Sequence, residues 1–311
     1  MRAGFGGFLA YRLFRALIAL WLVSTVVFVV MRLSGDPAPL LLPPDAPIAE
    51  MNRVRRELGL DRPLPVQYAV YLGNVVRGDF GRSIHFREPA MRVAFAYLPA
   101  TFELGLTAFV IAALVAFPVG VFSAVRRNSL LDHAAMGFAL VGQSAPTFFI
   151  GILFILILSL RLDLFPTSGR GEWRHLVLPA LTLGAFAMAS IARITRSAVL
   201  EVQRADYIRT ARAKGVGEFV VVAKHTLKNA ALPILTITGL QFGTLLGGAV
   251  VTETVFAWPG MGRLAIQSIY NRDYPVVQST VFIAAALFIV INLVLDALYG
   301  VLDPRAREKA A

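Results

Sequence analysis

Six apolar runs, each long enough to cross a bilayer, constrain this chain more than any other feature of its sequence. They fall near residues 13–31, 98–125, 134–160, 176–192, 230–256 and 279–301, and about 20 mainly apolar residues carry a helix through the hydrocarbon core. The shortest, from Leu176 to Ala192 before Arg193 and Arg196, suits a locally thin bilayer. Inside lipid every backbone polar group must be satisfied by the chain itself, so runs of this kind fold as helices. The expected fold is an all-α polytopic membrane protein with about six transmembrane helices. Arg12 and Arg15 flank the first run as the basic end of a signal peptide would. The run is too long for one, and no small-residue cleavage site follows, so it is read as a true span.

Composition agrees, since 57% of residues are hydrophobic, against roughly 45–50% apolar usage in soluble domains. The net charge of +11 does not indicate nucleic acid, which needs a solvated basic face; here the Lys and Arg lie between apolar blocks. The chain has no Cys, which excludes disulfides and thiolate chemistry, and His85, His133, His175 and His225 are scattered without ligand spacing, so no metal site is predicted.

Basic residues in short loops set the orientation. The N-terminus (Arg2, Arg12, Arg15), the 126–133 loop (Arg126, Arg127), the 193–229 loop and the tail (Arg305, Arg307, Lys309) alternate with the poorer loops 161–175 and 257–278. Both termini are therefore expected in the cytoplasm and the 33–97 segment outside. That segment begins with extended, Pro-rich chain (Pro37, Pro39, Pro43, Pro44, Pro47), followed by a short helix over Glu50–Leu60 that Gly59 ends. The chain divides into an N-terminal region 1–95, a transmembrane domain 96–302 and a tail 303–311. No internal repeat supplies a two-fold axis, so any such symmetry requires a partner chain.

The 193–229 loop is the most informative stretch. Asp206-Tyr207-Ile208-Arg209-Thr210-Ala211-Arg212-Ala213-Lys214 has an acid in its first turn and cations in its last, as the helix dipole prefers, and Gly215 supplies a reversal. A short helix held along the membrane surface is the predicted result, shaped to dock in a groove of a cytoplasmic partner. Topology alone would also account for the charge.

Asp206-Tyr-Ile-Arg-Thr-Ala-Arg-Ala-Lys-Gly215, followed by His225-Thr-Leu-Lys-Asn-Ala-Ala-Leu-Pro233, resembles the coupling-loop motif of type I ABC importer permeases. The version is that of the first permease in the dipeptide, oligopeptide, nickel and glutathione branch. The likeness extends through Gly35-Asp36-Pro37, Gly78-Asp-Phe-Gly-Arg-Ser83, Leu98-Pro-Ala-Thr-Phe-Glu-Leu104, Ser144-Ala145-Pro146, Glu253-Thr-Val-Phe-Ala-Trp-Pro-Gly260 and Arg272-Asp-Tyr-Pro275. Where the general motif opens with Glu-Ala-Ala, this chain has Arg209-Thr210-Ala211, as this branch does. The resemblance implies a bacterial inner-membrane complex of this chain, a second homologous permease, two ABC ATPase subunits and an extracytoplasmic solute-binding protein. Ala205, Asp206, Tyr207, Arg209, Thr210, Ala211, Arg212, Lys214 and Gly215 would then form the ATPase-coupling helix. ATP and Mg would be bound by the ATPases, and no cofactor by this chain. A di- or oligopeptide is the favoured solute, with glutathione, nickel chelates and sugars open.

Other features keep two readings. Gly239, Gly243 and Gly247, four apart, place side-chain-free positions on one helix face, for a permease–permease seam or for packing within the chain. Glu103, Gln143, Gln241, Asn292 and Asp296 are polar groups within or near spans, candidates for the pathway or for interior packing. Glu253 is a candidate outer gate, with Trp258-Pro259-Gly260 after it as plug or interfacial anchor. Pro118 and Pro146 are candidate kinks.

Enzymatic readings fail on the residues. Ser144 in Gly142-Gln143-Ser144-Ala145 lacks the second glycine of a nucleophile elbow, and no span carries a His to act as base. No G-x-x-x-x-G-K-[ST] occurs, so ATP hydrolysis must reside on another chain. A secondary transporter or channel is the remaining alternative; it would need mid-membrane coupling acids or a filter sequence.

Overall fold

The computed structural model describes residues 5–33, 35–36, 38–40, 42–43, 46–57 and 59–302, without the side chains of 5, 6, 8–10, 40, 246 and 296–302. Asp296, the tail 303–311 and Arg2 thus lie outside what is described. Among the described residues there is no strand beyond a single Arg82–Pro89 bridge. The helices are α1 (Phe5–Leu33), α2 (Ile48–Glu57), α3 (Leu64–Val76), α4 (Ala90–Val125), α5 (Leu130–Ser144), α6 (Thr147–Phe154), α7 (Trp173–Gln203), α8 (Asp206–Ala213), α9 (Glu218–Val220), α10 (Leu227–Gly247), α11 (Ala249–Val255), α12 (Met261–Tyr270) and α13 (Tyr274–Leu302). Two π-helical stretches, Ile155–Arg161 and Val221–Thr226, continue α6 and α9.

Four helices are long and apolar enough to cross a membrane, or up to six if each bent pair counts as one span. The third predicted run is broken by 111° between Leu130–Ser144 and Thr147–Arg161. Ala145 is extended (ψ 135°), as the residue before a proline must be to escape its ring. Pro118 instead sits within the continuous α4, and Pro179 and Pro233 lie inside α7 and α10; membrane helices tolerate this where neighbouring groups satisfy the freed carbonyl. The fifth run bends by 51° between Glu218–Leu245 and Ala249–Val255. The fourth, predicted over 176–192, is part of the 31-residue α7, which passes through Arg193 and Arg196. Its weak hydropathy has a structural cause. Of its most apolar window 61% is buried, against 11% for α1, so Thr182, Ser190 and Thr195 face protein and not lipid.

Contacts divide the chain into two compact units. The first comprises residues 1–100 and 259–290. Its core joins Phe80, Ala90, Val93, Leu264 and Val276, and a second cluster joins Ala94, Met261 and Ile283. Two stretches far apart in sequence meet here: the Ser83 hydroxyl donates to the carboxylate of buried Asp273, which also accepts the His85 N–H at 3.1 Å. Gly78-Asp-Phe-Gly-Arg-Ser83 and Arg272-Asp-Tyr-Pro275 are thus one structural element. Helix α12, within a segment read as loop from sequence, supplies Leu264 to it.

The second unit covers 101–258 and the chain from 291. Here α4 presents a file of small buried residues, Ala108, Ala112, Ala116, Gly120 and Ala124, four apart and so on one face. They meet α7 in step: Ala108 at Gly184, Ala116 at Ile191 and Ala192, Gly120 at Thr195, Ala124 at Ala198 and Val199. The two helices therefore run parallel. A Cβ on Gly120 would lie 2.6 Å from the Ala192 carbonyl oxygen, and one on Gly184 2.9 Å from that of Ala108. Small residues permit this backbone approach, which drives helix association where no hydrophobic force acts.

Candidate functional site

The cytoplasmic-type loop is built from residues close in sequence. After α7, Ala205 is extended and starts α8. Ile208 is fully buried, tying one face of α8 to its own chain, while Tyr207 is 47% exposed and Arg209, Thr210, Lys214 and Gly215 are also exposed. Gly215 has φ +78°. Its N–H donates to the Arg212 carbonyl at 2.9 Å, and the Val216 N–H to that of Ala211 at 3.3 Å, the paired bonds of a Schellman ending. Arg212 then grips Glu218 through two bonds of 3.0 and 2.6 Å, closing the turn; this bond raises the Arg212 guanidinium pKa. The Asp206–Arg209 pair, at 3.4 Å and almost fully exposed, contributes little. In the π-helical stretch that follows, the Thr226 hydroxyl donates to the Val221 carbonyl five residues back. Phe219 stands 84% exposed beside the loop.

One long-range contact braces this region. Arg196 on α7 donates to both oxygens of Asp132 at the start of α5, at 2.7 and 2.8 Å. Asp132 also accepts the Asn128 N–H at 2.9 Å, and its own N–H bonds the Ser129 hydroxyl that caps α5. Asp132→Ala is expected to lower stability by about 2 kcal/mol, less than the ~3–5 kcal/mol for a wholly buried pair, because the Arg196 side chain retains 25% exposure. Thermal unfolding in detergent measures this; an unshifted transition would show that the pair adds nothing.

A second cluster joins α4, α11 and the 161–175 loop. Thr101 donates to the carboxylate of fully buried Glu253 at 2.7 Å. Glu103 receives two bonds from Arg170, at 3.0 and 2.6 Å, and the same guanidinium lies 5.7 Å from the Trp258 ring centroid. Trp258 is only 1% exposed, so it is not a belt residue facing headgroups. The Gly169 N–H reaches the Phe256 carbonyl at 2.9 Å, holding the 161–175 loop over this end. Two residues beyond α11, Ala257 sits at φ +49°, a left-handed position costly for any residue but glycine; the Trp258 N–H bonds the Glu253 carbonyl at 2.8 Å and fixes the turn.

Two family models match the sequence: the binding-protein-dependent transport system inner membrane component over residues 116–308, and the N-terminal part of such membrane components over 6–123. The glutathione transport system permease protein GsiC of Escherichia coli K12 is 45% identical over 300 residues, 96% of this chain and 98% of that protein. The same figures hold for GsiC of Salmonella choleraesuis. The chain belongs to the binding-protein-dependent inner membrane component family. Its fold is that of solved relatives: a methionine ABC transporter, MetNI, in inward-facing form (TM-score 0.54, 23% identity, 68% of this chain and 95% of that one) and an amino acid ABC transporter (0.50, 21%, 69% and 94%). The chain is thus a multi-pass permease subunit of a bacterial ABC importer, placed in the inner membrane.

The permease brings some of the predicted residues together and separates others. Ala205 to Gly215 form one surface, though Ala205 and Ala211 are half-buried and Arg212 is committed to Glu218. Glu103 and Glu253 share the cluster around Thr101, Arg170 and Trp258. Gln143, Gln241 and Asn292 sit on three different helices, α5, α10 and α13, with Gln241 buried and accepting from Thr244 at 3.1 Å. The glycines of α10 do not share one environment: Gly239 and Gly243 are buried, whereas Gly247 is exposed with open space where a Cβ would point. Sequence reasoning missed the Asp132–Arg196 pair, the Arg170 bridge, Phe219 and the small-residue file of α4. Only the last left a signal, the recurrence of Ala and Gly every four residues.

Proposed function

We propose that this permease forms the translocation pathway with a second, homologous permease, receives solute from an extracytoplasmic binding protein, and is driven by two ABC ATPases that bind ATP and Mg. The observation that carries this is α8: an exposed short helix rooted at Ile208, closed by Gly215 and the Arg212–Glu218 bracket, and continuous through Arg204–Ala205 with the long α7. Tyr207, Arg209, Thr210 and Lys214 are its docking residues, with Phe219 as an apolar addition. Pushed from the cytoplasm, α8 moves α7, and the Asp132–Arg196 pair carries the movement to α5 as a rigid-body switch. Both termini then lie in the cytoplasm, residues 1–95 form an N-terminal region and 96–302 the transporting domain. Gly247 faces the second permease, and the buried Glu253 with the Glu103–Arg170 pair closes the outer mouth.

Glutathione is the proposed solute, supported by the 45% identity to permeases named for its transport; other short peptides share its backbone and carboxylate chemistry. The test is uptake into proteoliposomes holding the assembled complex. ATP-dependent accumulation of labelled glutathione that excess dipeptide does not suppress supports the reading. Accumulation of dipeptide alone would reassign the solute, and uptake by this chain without ATPases would overturn the importer mechanism.

A further inference from the structure

We propose that α3 is not a water-exposed helix of the external segment but lies in the bilayer beside α1, its outward apolar face covered by lipid acyl chains of the leaflet on that side. The first argument is depth. The Tyr68 and Thr25 hydroxyls are hydrogen-bonded at 2.6 Å, and the rings of Tyr68 and Tyr71 lie 5.3 and 5.2 Å from that of Phe28. Thr25 is eight residues inside the end of α1 at Leu33, about 12 Å along its axis. On another side of α1, Val27 and Met31 pack with Tyr274, Val277 and Val281, so this stretch of α1 lies at the level of a neighbouring span and not above it.

Composition is the second argument. Leu64–Val76 contains no charged residue, and Arg62 and Arg77 stand just outside its two ends. Thirteen residues make a helix about 20 Å long, too short to span and typical of an interfacial or re-entrant segment. Two of its polar groups are answered within the protein: the Tyr68 hydroxyl is hydrogen-bonded to that of Thr25, and the Gln67 amide N–H donates to the carbonyls of Leu60 and Arg62 at 3.2 and 2.7 Å. By contrast α2 carries Glu50, Arg53, Arg55, Arg56 and Glu57 and belongs in water.

The face left open decides the occupant. Val66, Val70 and Val76 are 43, 48 and 88% exposed, and Trp21, Leu22 and Val26 of the lipid-crossing α1 are 50, 49 and 58% exposed. Protein interfaces concentrate aromatic residues, Met and Arg at their centres; the exposed residues of α3 itself include none of these, which favours acyl chains over a second subunit.

The chain has no Cys, so an introduced thiol is the only one it contributes, and with Cys-free partner subunits it is the single label in the assembled transporter. Val70→Cys labelled with bimane, in nanodiscs of phosphatidylcholine brominated on its acyl chains, should be quenched as strongly as Val26→Cys on α1. Its unlabelled thiol should react with a membrane-impermeant maleimide at least about tenfold more slowly than that of Glu50→Cys on α2, since the hydrocarbon region holds no water to support the thiolate. Rapid maleimide reaction would overturn the proposal in favour of an aqueous helix. Protection from both bromolipid and maleimide would overturn it in favour of a covering subunit. Neither readout depends on which solute is carried or on how α8 couples.

Discussion

Gly215→Pro is expected to abolish both solute uptake and solute-stimulated ATP hydrolysis while the permease still inserts and assembles. Gly215 holds φ +78°, whereas a proline ring fixes φ near −65°, so the chain leaving α8 must turn the other way. Proline also removes the N–H that bonds the Arg212 carbonyl at 2.9 Å, and it displaces Val216 from Ala211. The bracket between Arg212 and Glu218 spans this position and cannot close around the altered turn. A Cβ at Gly215 meets no atom within 4 Å, so crowding plays no part. Gly215→Ala, which suffers only the left-handed cost of about 1–2 kcal/mol, should accordingly retain part of the activity. The measurements are uptake and ATPase rate in proteoliposomes, with assembly judged by co-purification. Full coupling in Gly215→Pro would remove α8 from the mechanism.

That region was legible because its determinants are local. An acid, a run of helix formers, three cations and a glycine within ten residues define α8 and its end without reference to the rest of the chain. The six runs were equally legible as apolar length, but their shapes were not. Pro118 and Pro146 look alike in sequence; one is absorbed in α4 and the other ends α5 at an extended Ala145, and the difference lies in what surrounds each. The fourth run looked weakest because hydropathy measures affinity for lipid, whereas α7 turns Thr182, Ser190 and Thr195 to protein. Helix α3 fell below any spanning length. Asp132 and Arg196 are 64 residues apart, and Glu103 and Arg170 67 apart; each read as an ordinary loop or span-end charge until the fold joined them.

Gly120→Leu should prevent the permease from accumulating in a folded form, a loss larger than that from breaking the Asp132–Arg196 pair. At position 120 the backbones of α4 and α7 approach closely: a Cβ there would stand 2.6 Å from the Ala192 carbonyl oxygen and 2.7 Å from Thr195 Cβ. A backbone carbonyl cannot swing aside as a long side chain can, so the helices must separate, and with them the contacts of Ala116 with Ile191 and of Ala124 with Ala198 and Val199. Overpacking of a tight core costs typically about 1–3 kcal/mol and occasionally more; a leucine driven into backbone belongs at or beyond the upper end. Gly137→Leu is the matched control, since Gly137 also lies in an apolar helix but meets nothing within 4 Å, and it should leave folding intact. Folded yield by fluorescence-detected size exclusion compares the two. Equal yields would mean that the α4–α7 approach is not what holds this unit together, and would leave the α7–α5 contacts around Arg196 as the tie that positions the coupling helix.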